Sequence, residues 1–359
     1  MRKRQESDQV FNWHKQKLKS IFSDDPSYLS TQEPKSTRKD VKPTAKQKSA
    51  VAAKPKSPYK PKVTKYNPKK DLLLPGGTFE EILNRTIVSE GSRKLPEEGS
   101  IYCFLFTHPK HFNRVSTVVE TWLPRCDRGE FYVSKPIEKG TVYWNESRIG
   151  PSTASLIPYA VTFGEILDDH AHLLSKGLWA LKYAYNRYPK FDWYFKADGD
   201  SYVIMENLRK YLKGFDPNEP LYIGYRLNFT KKYMEHGYNA GGSGYALSRA
   251  AMKLFDEKLY DNRTLCPPSE HEDAGVGICF ANIGIYPIDT RTTTGQQRFN
   301  QYRFEDIIGQ LVKQKWIYDK YDPKLKGAAA ISSDLISIHH VKPAEMLAYD
   351  ALLYRVSTD

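Results

Sequence analysis

The chain has no run of about 18 apolar residues, the least that spans a bilayer as a helix. Its first 30 residues also lack the short apolar core of a secretory signal. Cysteine is scarce, with four in 359 residues. None has the Cys-x-x-Cys spacing of a zinc site, so structural zinc is not expected. There is no internal repeat, which excludes a solenoid or propeller. Acidic residues are short in one region only: residues 1 to 70 hold 19 Lys plus Arg against 6 Asp plus Glu, while the other 289 hold 35 against 36. The formal net charge of +12 therefore belongs to the N-terminal tail. A nucleic-acid partner needs its Lys and Arg on a folded surface, and here no folded surface owns the charge, so none is expected.

The tail PKSTRKDVKPTAKQKSAVAAKPKSPYKPKVTKYNPKK has too few large apolar residues to offset the entropy of ordering. Residues 1–75 are expected to be a disordered basic stem or spacer, with 76–98 a linker packed on the body and 99–355 the folded domain. Four Asn-x-Ser/Thr acceptors (Asn84, Asn145, Asn228, Asn262) and the two cysteine pairs, Cys103 with Cys126 and Cys266 with Cys279, read as secretory marks. Spacing allows each pair to close a bridge. These marks conflict with the missing signal, and an N-terminal anchor absent from this version of the sequence would reconcile them.

From Gly99 onward, short β-rich runs alternate with amphipathic stretches, the pattern of an α/β sheet. Strands are expected over Ile101–His108, Glu130–Lys135, the run FDWYFKA and Leu221–Leu227; helices are expected over Asn113–Thr121, Leu173–Tyr188 and Met205–Leu212. The Gly-rich run Tyr238–Ser248 punctuates the chain before another helix through Phe255.

Asp198-Gly199-Asp200 stands at the C-terminal end of an apolar strand, the edge where ligands gather in open α/β sheets. Two carboxylates one residue apart can face one side of a tight turn and hold Mn²⁺ or Mg²⁺ against a diphosphate. By itself such a pair is a common acidic turn. His271-Glu272-Asp273 precedes a helix, where a carboxylate could serve as general base or simply cap the helix. Of His339 and His340, one imidazole could complete the metal shell, or both could be structural.

VSTVVETWLPRCD, LWALKYAYNRY, DWYFKADGDSYVIMENLRKYL, EPLYIGYR, YNAGGSGYALS, HEDAGVGICF and ISIHHVKPAEM occur in this order over roughly Ser100–Tyr354. Together they resemble the core 1 β1,3-galactosyltransferases, within the inverting β1,3-glycosyltransferase family that includes the Fringe enzymes. The resemblance implies a GT-A fold, a mixed and mostly parallel sheet flanked by helices. It further implies UDP-galactose as donor, Mn²⁺ (with Mg²⁺ as the alternative), and GalNAc on Ser or Thr of a glycoprotein as acceptor.

By position it assigns Asp198, Asp200 and His339 to the metal, with Asp198 also meeting the donor, Asp273 to the general base beside Glu272, and Thr107, Arg114, Gly242 and Tyr245 to the nucleotide-sugar. It implies a Golgi-lumen location with a membrane anchor, which this chain does not show, and leaves a homodimer open. The family shows three consecutive acids where Gly199 interrupts them here. A non-catalytic chaperone or glycan-binding relative, and a transferase using another donor or acceptor, are the alternative readings.

Overall fold

The computed structural model describes residues 77–108, 111–134, 142–144, 147–150, 159–163, 166, 170–227, 236–311 and 325–357. The expected tail over 1–75 lies outside them, as do the acceptors Asn145 and Asn228; Asn84 and Asn262 are exposed.

Eight strands form one sheet: β1 (Ile87–Val88), β2 (Glu98–Phe106), β3 (Arg128–Val133), β4 (Ala160–Thr162), β5 (Lys190–Asp198), β6 (Tyr222–Gly224), β7 (Tyr245–Ser248) and β8 (Pro287–Ile288). Their order is β1-β4-β3-β2-β5-β7-β6-β8. The β4-β3, β3-β2, β2-β5 and β6-β8 pairs are parallel and the other three antiparallel, the mixed, mostly parallel sheet expected of the GT-A type. The helices of six residues or more among the described residues are α1 (Phe79–Arg85), α2 (Phe112–Glu120), α3 (Leu173–Arg187), α4 (Met205–Leu212), α5 (Arg249–Leu254), α6 (Glu272–Ala281) and α7 (Pro343–Tyr354). No helix among the described residues is long and apolar enough to cross a membrane.

Strand periodicity sorts the core into two faces. On β2, Ile101, Cys103 and Leu105 join the layer under α2, α4 and α7, while Tyr102, Phe104 and Phe106 join the layer under α1, α3 and α5. On β5, Trp193, Phe195 and Ala197 take the first face and Tyr194 the second, while Phe191 at the strand's start breaks the alternation and joins the second layer. Continuing the alternation puts Lys196 and Asp198 on the second face. A lysine is thereby drawn under the sheet at its C-terminal edge, 2 % exposed.

The stretch expected as a linker is structured from Gly77 onward. A capping box between Thr78 and Glu81 starts α1, which buries Phe79 and Ile82 against Trp179 and Tyr260, and β1 becomes the sheet's edge. The single strand expected over Leu221–Leu227 is broken: at Gly224 a Cβ would lie 2.9 Å from the Gly244 carbonyl oxygen, and Arg226–Leu227 turns out of the sheet to pair with Tyr238–Asn239. Alternation of residue types cannot register that close approach. Both cysteine pairs are bridged, Cys103 to Cys126 and Cys266 to Cys279. The first ties β2 to the turn after α2, and the second ties α6 to the loop before it.

Arg128 and Glu130, on β3, lie at most 1 % exposed and 2.6 Å apart. The guanidinium stacks 3.7 Å over the Tyr188 ring and donates to the carbonyls of Ser92, Leu95 and Pro96, and the Tyr102 hydroxyl donates to Glu130. Removing one partner strands a buried charge. Glu130→Leu is therefore expected to lower unfolding stability by about 3–5 kcal/mol, and Arg128→Met/Glu130→Leu to recover most of that loss, both read from urea unfolding.

Candidate active site

A small three-stranded sheet assembles the site. Ser337–Ile338 pairs parallel to Phe299–Asn300 and antiparallel to Tyr202–Val203, with Ile338 opposite Tyr202. Continued two places, that register carries His340 to the level of Asp200. Backbone bonds hold it there: His339 N–H donates to the Asn300 carbonyl at 3.0 Å and Val341 N–H to the Asp200 carbonyl at 2.8 Å. The fully buried Trp122 indole donates to the Ser201 carbonyl at 2.9 Å, anchoring the turn from the other side.

His339 Nε2 lies 3.2 Å from Asp200 Oδ1 and 4.0 Å from Asp198 Oδ2, so the three expected metal residues converge. His340 joins them: its Nδ1 is 4.0 Å from Asp200 Oδ2, its ring is stacked 3.7 Å from that of His339, and ligand atoms of Asp200, His339 and His340 all lie within 4.8 Å of one another. A carboxylate with imidazoles is a donor set that suits Mn²⁺ better than Mg²⁺, which prefers oxygen throughout. An Arg114 guanidinium nitrogen lies 3.4 Å from Asp200 Oδ2. Burial would raise the Asp200 carboxyl, but His339, Arg114 and His340 hold it well below the usual carboxylate range.

Glycine at 242 is a spatial necessity. A Cβ there would meet the His339 imidazole at 1.9 Å, so the ring lies flat against bare backbone. The neighbouring Gly241 faces the opposite group: its N–H donates to Asp273 Oδ2 at 3.0 Å. The same turn is tied down by the Ser201 hydroxyl donating to the Gly242 carbonyl and the Ser337 hydroxyl to that of Ser243. Asp273 stands in the first turn of α6, where the helix dipole favours negative charge. Its Oδ1 accepts from the Ala274 N–H at 2.8 Å, so the side chain also satisfies one first-turn donor of the helix, whose N-cap, His271, makes no side-chain cap bond.

Glu272 is buried beside it. Its Oε1 accepts from the Tyr245 hydroxyl at 2.7 Å and its Oε2 lies 3.3 Å from Lys196 Nζ, which also donates to Asp198 Oδ1 at 2.8 Å. Burial would discharge Lys196, but Asp198 and Glu272 outweigh it and hold the ammonium well above the usual lysine range. One ammonium among three acids leaves a surplus of negative charge, and Glu272 bears it: burial pushes its carboxyl up, Lys196 pulls it back, and Asp273 adds to the rise.

These groups line one cleft of about 560 Å³ at the strand ends, with Thr107, Arg114, Lys176, Asp198, Gly199, Asp200, Gly242, Asp273 and His339 in its wall. The volume suits a nucleotide-sized ligand. Tyr245 departs from the expected donor contact: it is wholly buried below the cleft, and its hydroxyl is spent on Glu272. The reason is the strand period, which turns Tyr245 into the core on the face of Tyr222 and Leu247. Lys196 went unassigned in the sequence, and His340 was named only as the alternative to His339. A lysine inside FDWYFKAD was a signal, because a strand buried on both faces admits one only with a carboxylate partner.

A model of the Fringe-like family matches residues 106–310. Glycoprotein-N-acetylgalactosamine 3-beta-galactosyltransferase 1 of Xenopus laevis is 29% identical over 273 residues, 74% of this chain and 69% of that protein. A beta-1,3-glucosyltransferase of Mus musculus is 22% identical over 176 residues, 49% of this chain and 32% of that protein. Among solved structures, galactosyltransferase LgtC with donor and acceptor sugar analogues covers 72% of this chain and 97% of its own at 10% identity, with a TM-score of 0.39, too low to weigh further. The family match takes in more than half of the chain, including the Asp198–Asp200 turn, the Gly241–Gly242 turn and the start of α6, and on it the chain belongs to the Fringe-like family of glycosyltransferases.

Proposed function

We propose that the chain is an inverting, metal-assisted glycosyltransferase that moves galactose from UDP-galactose to the 3-hydroxyl of GalNAc on Ser or Thr of a glycoprotein. The observation that carries this reading is the convergence, in one cleft, of a cation-binding group (Asp200, His339) and a separately held carboxylate (Asp273) across the Gly241–Gly242 turn. The choice of galactose and GalNAc rests on the similarity to the Xenopus laevis enzyme.

Asp200 and His339 would hold Mn²⁺, with Asp198 beside them, and the bound ion supplies positive charge against the diphosphate as it departs. Arg114 and Lys176 add positive side chains to the same wall for the nucleotide. Asp273, oriented by the Gly241 N–H, takes the proton of the acceptor hydroxyl as that oxygen bonds to the anomeric carbon. The bond from that carbon to the β-phosphate oxygen breaks on the opposite face, UDP leaves with the electron pair, and the α-linked donor yields a β product. Glu272, tied to Lys196 and Tyr245, braces the start of α6. Two disulfides and a glycoprotein acceptor fit the oxidising secretory pathway, with the Golgi lumen as the working compartment. Residues 1–75 would serve as its stem.

Galactose transfer from UDP-galactose to a GalNAc-peptide, with and without chelator, tests the reading, and a protein active in EDTA would refute metal assistance. Asp273→Asn is expected to lose about 10²–10⁴-fold in kcat while UDP and Mn²⁺ affinity stay near the parent's. If its kcat is near normal, Asp273 is not the base. Asp200→Asn is expected to lose both turnover and Mn²⁺ binding. Gly242→Ala, whose methyl would occupy the place of the His339 ring, is expected to weaken Mn²⁺ binding about tenfold or more by calorimetry, through loss of an aligned ligand.

A further inference from the structure

His340 occupies a conformation its side chain disfavours. Its φ of 59° lies in the left-handed region, a place that glycine or asparagine fills more cheaply. The strain is imposed from both sides, by the bond from His339 N–H to Asn300 and the bond from Val341 N–H to Asp200. The His340 ring does not pack into the core: it is half exposed, lies against His339 at 3.7 Å, and brings Nδ1 to 4.0 Å from Asp200 Oδ2 at the wall of the cleft.

Asp198 is the alternative third ligand, and it is less available. Lys196 donates to its Oδ1 at 2.8 Å, and Asp198 falls outside the group of Asp200, His339 and His340 ligand atoms that all lie within 4.8 Å of one another. One lone-pair face of Asp198 is therefore committed to an ammonium, whereas His340 faces Asp200 from the open side of the cleft.

We propose that His340 is a direct metal ligand, so that this chain grips its divalent cation with Asp200, His339 and His340, and Asp198 is held back by Lys196. The inference rests on the metal-assisted reading above and adds to it a second imidazole. Two nitrogens and one carboxylate shift preference toward borderline ions, raising affinity for Co²⁺ over Mn²⁺ more than a single-imidazole site would.

The test is titration of the full chain with Co²⁺, followed by its visible absorption, and with Mn²⁺, followed by the loss of the free-ion spin-resonance signal. His340→Gly relieves the backbone and removes the ring, so its thermal transition should be unchanged or higher. Its Co²⁺ affinity should fall about tenfold or more and its Mn²⁺ affinity by less, with the cobalt bands altered. His340→Asn, which also tolerates the left-handed region, should behave like His340→Gly in metal binding and guards against a folding artefact. Unchanged Co²⁺ affinity and spectrum in both variants, with Asp200→Asn still abolishing binding, would overturn the role of His340 and leave the metal site standing. A parent protein that binds neither ion would remove both.

Discussion

The Lys196 ammonium is the point on which the cleft depends. It is buried at the end of a strand and bonded to Asp198 on that strand and Glu272 at the start of α6. Two elements some 75 residues apart are thus held by one charge that none of the three groups could carry alone under the sheet. Their mutual dependence also sets the protonation of the site. Lys196 stays charged because carboxylates outnumber it, and the surplus appears as a raised Glu272 rather than a discharged lysine.

Above this ion cluster, the Gly241–Gly242 turn separates two chemistries while keeping them close. Gly242 gives up its side-chain volume to His339, and Gly241 gives its N–H to Asp273. The two faces can therefore share a cleft without neutralising each other, as the displacement proposed above requires, with one group for the departing diphosphate and another for the incoming hydroxyl. A Cβ at Gly199 would meet only Arg114, Phe106 and Thr107, at 3.9–4.0 Å, so glycine there answers to no crowding.

Much of the framework was legible in the chain. The β2 and β5 strands read as mainly apolar runs because both faces of the sheet are covered, and α4 reads as amphipathic because only one side of it is. The helix of segment 77–98 at Phe79–Arg85 contributes only two buried apolar side chains and the one at Glu90–Arg93 none, too few to raise a periodic signal. The break after Gly224 was invisible for another reason, since it depends on the carbonyl of Gly244, a neighbour only after folding.

The sequence by itself determined the α/β alternation, the acidic turn at a strand end, the acidic start of α6 and the paired cysteines, all of them local patterns within a few residues. Only the tertiary structure decided which of these meet. Asp200 and His340 are 140 positions apart and are joined by the register of a three-stranded sheet whose strands are two residues long, too short to leave a pattern. It also assigned Tyr245 to the support of Glu272 instead of the donor, and drew Lys196 and His340 into the site. A side chain's role at a cleft follows from which face of a strand it occupies and what packs against that face, and neither is encoded in any one segment.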